Sequence, residues 1–212
     1  MDPTSVTRWS LPLLLVVFAL VLMVWPLARV YRETGLWAAT LHRETEPGQR
    51  LVGVAFLAVQ LTAVAFVVLY AWRGPAAVGV WLQPPALTWL GLGLAACGVV
   101  GVAIAQRQMG ASFRIGIDDA ETALVQSGLF AWVRNPIFSA LLVLLAGMFL
   151  AVPCVWTLGI WLAAAVTVAR QVRLEERHLL AQHGEEYRLY ASRVGRFVPG
   201  VGRLAREGQG SG

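Results

Sequence analysis

Two short polar stretches of this chain hold the residue types that can bind and transform a small molecule. The first is GLFAWVRNPIFSA, residues 128–140, with Arg134, Asn135 and Pro136 at the mouth of an apolar segment. Pro136 suits the first turn of a helix, where its missing N–H costs nothing. Asn135 then sits at the N-cap. The free N–H groups and the helix dipole there favour an anionic group such as a carboxylate, and Arg134 adds a fixed positive charge. The second stretch, residues 170–190, brings Arg170, Arg173, Glu175, Glu176, Tyr187 and Tyr190. Arg173 and Glu176 are three apart and share a helical face. A carboxylate there suits an ammonium group. The rings of Phe130, Trp132 and Phe138 suit a flat heterocycle.

A zwitterionic amino acid joined to a base satisfies this set, and S-adenosylmethionine is such a molecule. Each residue also has a plainer reading. Arg134 and Arg173 can snorkel at a membrane interface. RLEER can be a solvated helix face, the aromatic residues can be interfacial anchors, and GEEYRLY can be an amphipathic surface helix. What favours a site is that one supersecondary element would bring both stretches together.

That element follows from the composition. Of the 212 residues, 58% are hydrophobic and only 14% charged, which places the chain in a membrane. Leu11–Ala28, Leu51–Trp72 and Ala86–Ala105 are long enough to span. Ile137–Val152 and Cys154–Ala169 flank Pro153 and are each about 24 Å long, which predicts a helical hairpin. The fold expected is therefore all-α, with about five transmembrane helices, the last two a hairpin, and a C-terminal amphipathic helix on the cytoplasmic side. Residues 1–104 would form three spans, 105–200 a catalytic region containing the hairpin at 136–169, and 201–212 a disordered tail. All seventeen cations are Arg. With the N-terminus outside, fifteen of the seventeen fall in cytoplasmic parts, so the positive-inside rule puts the C-terminus and the site in the cytoplasm. The Arg, Ala and Val bias suggests a bacterial inner membrane.

The same residues resemble a known family. SGLFAWVRNPIF (127–138), then a hairpin, then EERHLLAQHGEEYRLYASRV (175–194) is similar to the isoprenylcysteine carboxyl methyltransferases and their phospholipid-methylating relatives. The resemblance covers roughly residues 105–200. It implies an integral-membrane methyltransferase without a Rossmann domain. It also implies S-adenosylmethionine contacts at Thr122, Ala123, Leu124, Val125, Phe130, Asn135, Pro136, Ile137, Phe138 and Glu175, with Asp118 and Tyr187 added to the set. Arg134, Arg170, Arg173 and Glu176 are the candidates for the acceptor side and the chemistry. The family carries an Arg just ahead of its Glu pair; this chain has Gln171 there, flanked by Arg170 and Arg173. Asn135 stands where the family has His, and Phe138 where it has Tyr.

Methyl transfer from a sulfonium needs no metal, and a carboxylate acceptor needs no base. An amine must first lose a proton, and a hydroxyl needs a base such as Glu176 or His178. Gly91, Gly93, Gly98 and Gly101 of the third span resemble a small-residue packing face. The expected acceptor is a lipophilic carboxylate, isoprenoid or lipid-like, arriving from the bilayer between the third helix and the hairpin, where the same glycines would leave room. The expected partners are this acceptor and membrane lipids, with no nucleic acid and no metal. The other classes are methylation of an amine or hydroxyl on a lipid, a non-enzymatic scaffold binding anionic lipid, and a transporter. Against the transporter, the first three spans carry no charged residue at mid-depth.

Overall fold

The computed structural model describes residues 3–25, 28, 31–32, 47–109 and 124–205. Asp118, Thr122 and Ala123 lie outside them, as do Trp37, His42 and the last seven residues. Among the described residues, five helices carry the architecture. α1 is Pro3–Ala19, running on as a π-helical turn over Leu20–Val24. α2 is Pro47–Arg73, α3 Pro85–Met109, α4 Pro136–Ala151 and α5 Val155–Arg193. Short 3₁₀ turns occupy Pro75–Ala77 and Gly128–Ala131. Four of the helices are long and apolar enough to cross a membrane, and α4 is a shorter apolar helix. The chain is thus an all-α integral membrane protein.

The main departure from the sequence expectation is α5. It runs unbroken past Ala169 to His183 and, beyond a break at Gly184, on to Arg193; the unbroken part alone is roughly 43 Å, longer than a bilayer core of about 30 Å. The amphipathic C-terminal helix is therefore the continuation of the last span. No proline or glycine interrupts residues 160–183, and Leu, Arg, Glu and Gln there are good helix formers. The axis breaks at Gly184, with φ 52° and ψ −121°, a backbone conformation that only glycine adopts without strain.

Small residues decide how α3 and α4 meet. A Cβ added at Gly91 would overlap Ala151 N and lie 2.6 Å from Gly147 O; one at Gly98 would lie 2.6 Å from Leu144 Cβ and 2.7 Å from Ala140 O. The two backbones touch, as small-residue faces permit in membranes. The entry route expected between the third helix and the hairpin is therefore closed. Gly91 and Gly98 are consumed by the contact, not left as space. Gly93 faces nothing within 4 Å.

Two cores result. The larger gathers Leu11, Phe66, Tyr70, Leu92, Leu145, Met148, Ile160 and Ala164 from all five helices. A polar knot closes its end: Thr7 and Tyr70 share a 2.5 Å hydrogen bond, and Gln83 Nε2 donates to Thr7 Oγ1 (3.2 Å) and Ala151 O (2.8 Å). Buried polar groups in such a place must be paired, and these are. The smaller core, Tyr187, Tyr190, Ala191 and Val194, lies at the opposite end of the bundle, packed by Leu124, Leu179, Leu180 and Leu204. It supports the two polar stretches.

Candidate functional site

At this end the chain docks back on itself. After α5, residues 194–197 run beside residues 133–135 in a short parallel bridge, Val133 opposite Gly195. Arg134 N–H donates to Gly195 O (2.8 Å), and Asn135 N–H donates to Arg196 O (3.2 Å). Ser139 Oγ, one turn into α4, donates to Phe197 O at 2.8 Å. Gly195 permits the approach, because a Cβ there would overlap Val198 O and come within 2.8 Å of Gly200 N. The two polar stretches therefore meet through main-chain pairing, with the sequence after α5 as the third party.

Arg134 is the centre of this junction. Its side chain is 1% exposed and ion-paired to Glu176 at 2.8 Å. Nε also reaches Glu176 Oε1 (3.1 Å), Nη1 donates to Ala191 O (2.9 Å) and Val194 O (2.5 Å), and Nη2 to Gly202 O (3.1 Å). All five N–H donors are spent on the protein itself. Arg134 was a candidate for contacting the acceptor; in this geometry it holds three segments together and has no donor left over. Glu176 is similarly occupied. Arg196 reaches its Oε2 at 2.6 Å and its Oε1 at 3.1 Å, so one carboxylate joins two guanidinium groups. Such charge-assisted, fully hydrogen-bonded clusters tolerate burial.

Asn135 precedes α4, with Pro136 in the first turn, as the sequence predicts. Its side chain does not cap the helix. Nδ2 donates to Arg196 O at 3.2 Å, and Ser139 N–H bonds the Asn135 carbonyl. Pro136 has no N–H, so Ile137 and Phe138 bring the first-turn N–H groups of α4. Phe138 stacks on Phe56 of α2, with centroids 6.1 Å apart. Phe130 is buried, and its carbonyl accepts from Tyr190 Oη at 2.7 Å. Leu124 and Val125 are half-buried beside this core.

Tyr187, expected at the cofactor, is 1% exposed and packed edge-on to Tyr190 inside the smaller core. Its ring offers no surface to a ligand. Burial first, then the neighbouring Glu176 charge, pushes its phenol up; burial pushes Tyr190 up to about 12. Both stay protonated donors at neutral pH.

Glu175 differs from its neighbour. It is half-buried and lies beyond the apolar part of α5, which ends at Ala169; Gln171 Nε2 donates to its Oε1 at 2.7 Å. Burial pushes its carboxyl up to about 7, against the pull of the Gln171 amide, and Glu176 raises it further. A carboxylate held in a poorly solvated place with a neutral partner is short of a cation. Arg170 and Arg173 do not supply it. Both are exposed, whereas Gln171, Val172 and Glu176 are buried. The structure separates these two arginines from the junction they were expected to share with Arg134.

Residues 86–186 match the phospholipid methyltransferase family. That stretch is just under half of the chain. The match spans α3, α4, most of α5 and the junction between them. Among solved structures, the eukaryotic intramembrane Ras methyltransferase, isoprenylcysteine carboxyl methyltransferase, has a similar fold, with a TM-score of 0.54 at 17% identity over 90% of this chain and 74% of that one. A comparison with curated protein sequences gives no match. The matched region is thus similar to the phospholipid methyltransferases, and the fold is similar to that of isoprenylcysteine carboxyl methyltransferase.

Two residues at the junction were given no role by the sequence. Gln171 stood where an Arg was expected, and its amide now explains the position of Glu175. Arg196 lies two residues past the motif's end at Val194. Its signal was chemical: two carboxylates at 175–176 and one nearby Arg already committed leave a second cation to be found.

Proposed function

We propose that the chain transfers a methyl group from S-adenosylmethionine to a lipophilic acceptor, most simply a carboxylate, at the end of the bundle where α4 begins. One observation carries the reading. The Arg134–Glu176–Arg196 cluster fixes the open N-terminus of α4 against the stretch of α5 that holds Glu175, a half-buried carboxylate short of a cation.

The residues fit the cofactor's polar groups. Glu175 would hold the ammonium. The first-turn N–H groups of Ile137 and Phe138, behind Asn135 and Pro136, would hold the carboxylate. Leu124, Val125, Phe130 and Phe138 would flank the base, together with Asp118, Thr122 and Ala123 from outside the described residues. When bound, S-adenosylmethionine supplies an electrophilic methyl on a sulfonium. The chain's own task is alignment, which alone contributes about 7–11 kcal/mol. Arg134, Glu176 and Arg196 act as positioning residues, since each meets the others and the backbone.

The same cluster bears on the acceptor. Glu176, the expected base for a hydroxyl, already has both oxygens engaged by guanidinium groups. That supports an acceptor that arrives as a nucleophile, as a carboxylate does. In this reading the cofactor enters from the cytoplasm, the N-terminus lies outside and the acceptor comes from the bilayer.

Calorimetric titration of the detergent-solubilised chain with S-adenosylmethionine tests the site. Binding should be lost in the Asn135→Ala, Glu175→Ala double variant, and unchanged binding would refute it. Radiolabelled donor offered with lipophilic acids, amines and phenols should label the acids first.

A further inference from the structure

One face of α5 is turned away from the bundle along its whole length. Gly159, Ala163, Val166, Arg170, Arg173 and Arg177 follow one another at steps of four and three residues, and every one of them is exposed. Such spacing is a single stripe on a helix. Its upper part forms one wall of a cleft of about 480 Å³, whose other wall is Ala58, Val59 and Thr62 of α2. Its lower part carries three cations with no acid on the stripe; Glu176 is buried against Arg134 and Arg196, and Glu175 is half-buried.

Several other arginines of the chain are committed to partners. Arg134 and Arg196 are paired with Glu176, Arg8 donates to the carbonyls ending α2, and Arg73 and Arg107 lie over tryptophan rings. Arg170, Arg173 and Arg177 make no hydrogen bond or ion pair among the described residues. The two helices run antiparallel, since a Cβ on Gly48 would meet Leu174 at 3.9 Å. Exposed Arg50 of α2 thus stands at the level of the arginine stripe.

Depth relates the two parts. The cleft residues of α5, 155–163, lie about 10–22 Å along the helix from Arg170. One leaflet of hydrocarbon is about 15 Å. A lipid whose phosphate rests on the arginines therefore has the far part of its chain at the cleft. We propose that this face binds an anionic phospholipid of the bilayer, its headgroup on Arg170, Arg173 and Arg177 and one acyl chain in the α2–α5 cleft. The proposal rests on the chain's place in a membrane and not on methyl transfer, so its test needs no activity.

The delipidated full chain in detergent would be incubated with phosphatidylglycerol or phosphatidylcholine carrying the same chains, and bound lipid counted by native mass spectrometry. Phosphatidylglycerol should be retained about tenfold better. Arg170→Gln, Arg173→Gln and Arg177→Gln together should erase that preference. Gly159→Leu, whose added carbon meets nothing within 4 Å, should fill the cleft and lower retention of both lipids alike. Equal retention of the two lipids by the wild type, a triple variant that keeps the preference, or a Gly159→Leu variant that retains lipid as before would each overturn the proposal. So would displacement by inorganic phosphate at matched concentration, which would mark a site for a bare anion. If the triple variant fails to fold by circular dichroism, the Arg173→Gln variant and the wild-type lipid ratio still decide.

Discussion

Arg134 and Glu176 lie 42 residues apart in sequence and form a buried ion pair of 2.8 Å, with a second guanidinium, Arg196, on the far oxygen of the same carboxylate. The pair joins the entry to α4, the middle of α5 and the stretch that follows α5. Removing one partner leaves the other charge buried, which costs about 3–5 kcal/mol. Arg134→Ala should therefore lower the thermal midpoint in detergent strongly. Arg134→Lys should do nearly as badly, because an ammonium cannot serve Glu176 and three carbonyls in a fork. A double-mutant cycle with Glu176→Ala checks the coupling: an interaction near zero would show that the pair does not hold the junction together.

The α3–α4 contact makes a position-specific prediction. Gly91→Ala places a carbon against Ala151 and Gly147 backbone, where nothing can yield without moving a helix. Overpacking of this kind costs about 1–3 kcal/mol. Gly93→Ala, two residues along on an open face, should be neutral or slightly stabilising, since alanine is the better helix former. Unfolding midpoints of the two variants in the same detergent decide. Similar losses for both would mean that the backbones do not touch.

Most of the helical order was legible because span length and hydropathy are local properties. Pro136 at a helix start and Pro153 between two apolar halves read directly from their missing N–H. The length of α5 was not legible. The sequence changes character at Arg170 but gives the backbone no reason to stop, so chemistry was mistaken for a boundary. The glycines of α3 were legible as a small-residue packing face, but also as an opening for the acceptor; a small residue permits both, and only the partner helix decides. At the site, Arg134 and Glu176 were visible as types. That they neutralise each other depended on the return of residues 194–197, a pairing with no periodic signal. Arg170 and Arg173 were assigned from the register before the Glu pair and from the i,i+3 spacing of Arg173 and Glu176, whereas both stay exposed while Glu176 turns inward to Arg134 and Arg196.

Glu175 gives the site a pH dependence. Its carboxyl is pushed up to about 7, chiefly by burial, so it is partly protonated at neutral pH. A cationic ligand binds the ionised form, so affinity should rise with pH and level off above about 7. Below 7 it should fall by up to about tenfold per unit. For folding the sign is opposite. The unfolded carboxyl ionises near the ordinary value of 4.5, so stability is fully present below that pH and declines as pH rises through 7. Titrating S-adenosylmethionine into wild type and Glu175→Gln between pH 5.5 and 8.5 separates the cases, with pH values chosen to bracket about 7. The variant should bind weakly with a flat profile. A wild type as flat as the variant would remove Glu175 from the ammonium site.

Gly195 tests whether the return of the chain positions the site or merely decorates it. Its backbone pairs with Val133 and accepts from Arg134, and its missing side chain lets the turn at Val198–Val201 close over it. Gly195→Ala must open that turn, because the added carbon would overlap the Val198 carbonyl. Arg196 is then drawn off Glu176, and the Asn135 amide loses its acceptor. The spans themselves touch none of these atoms. The expected outcome is a protein with near wild-type helical content but S-adenosylmethionine affinity reduced about tenfold or more, in proportion to lost preorganisation. Circular dichroism and calorimetry on the same sample measure both. Wild-type affinity in this variant would show that the α4 entrance holds its geometry without residues 194–197, and Arg196 would lose its assigned role.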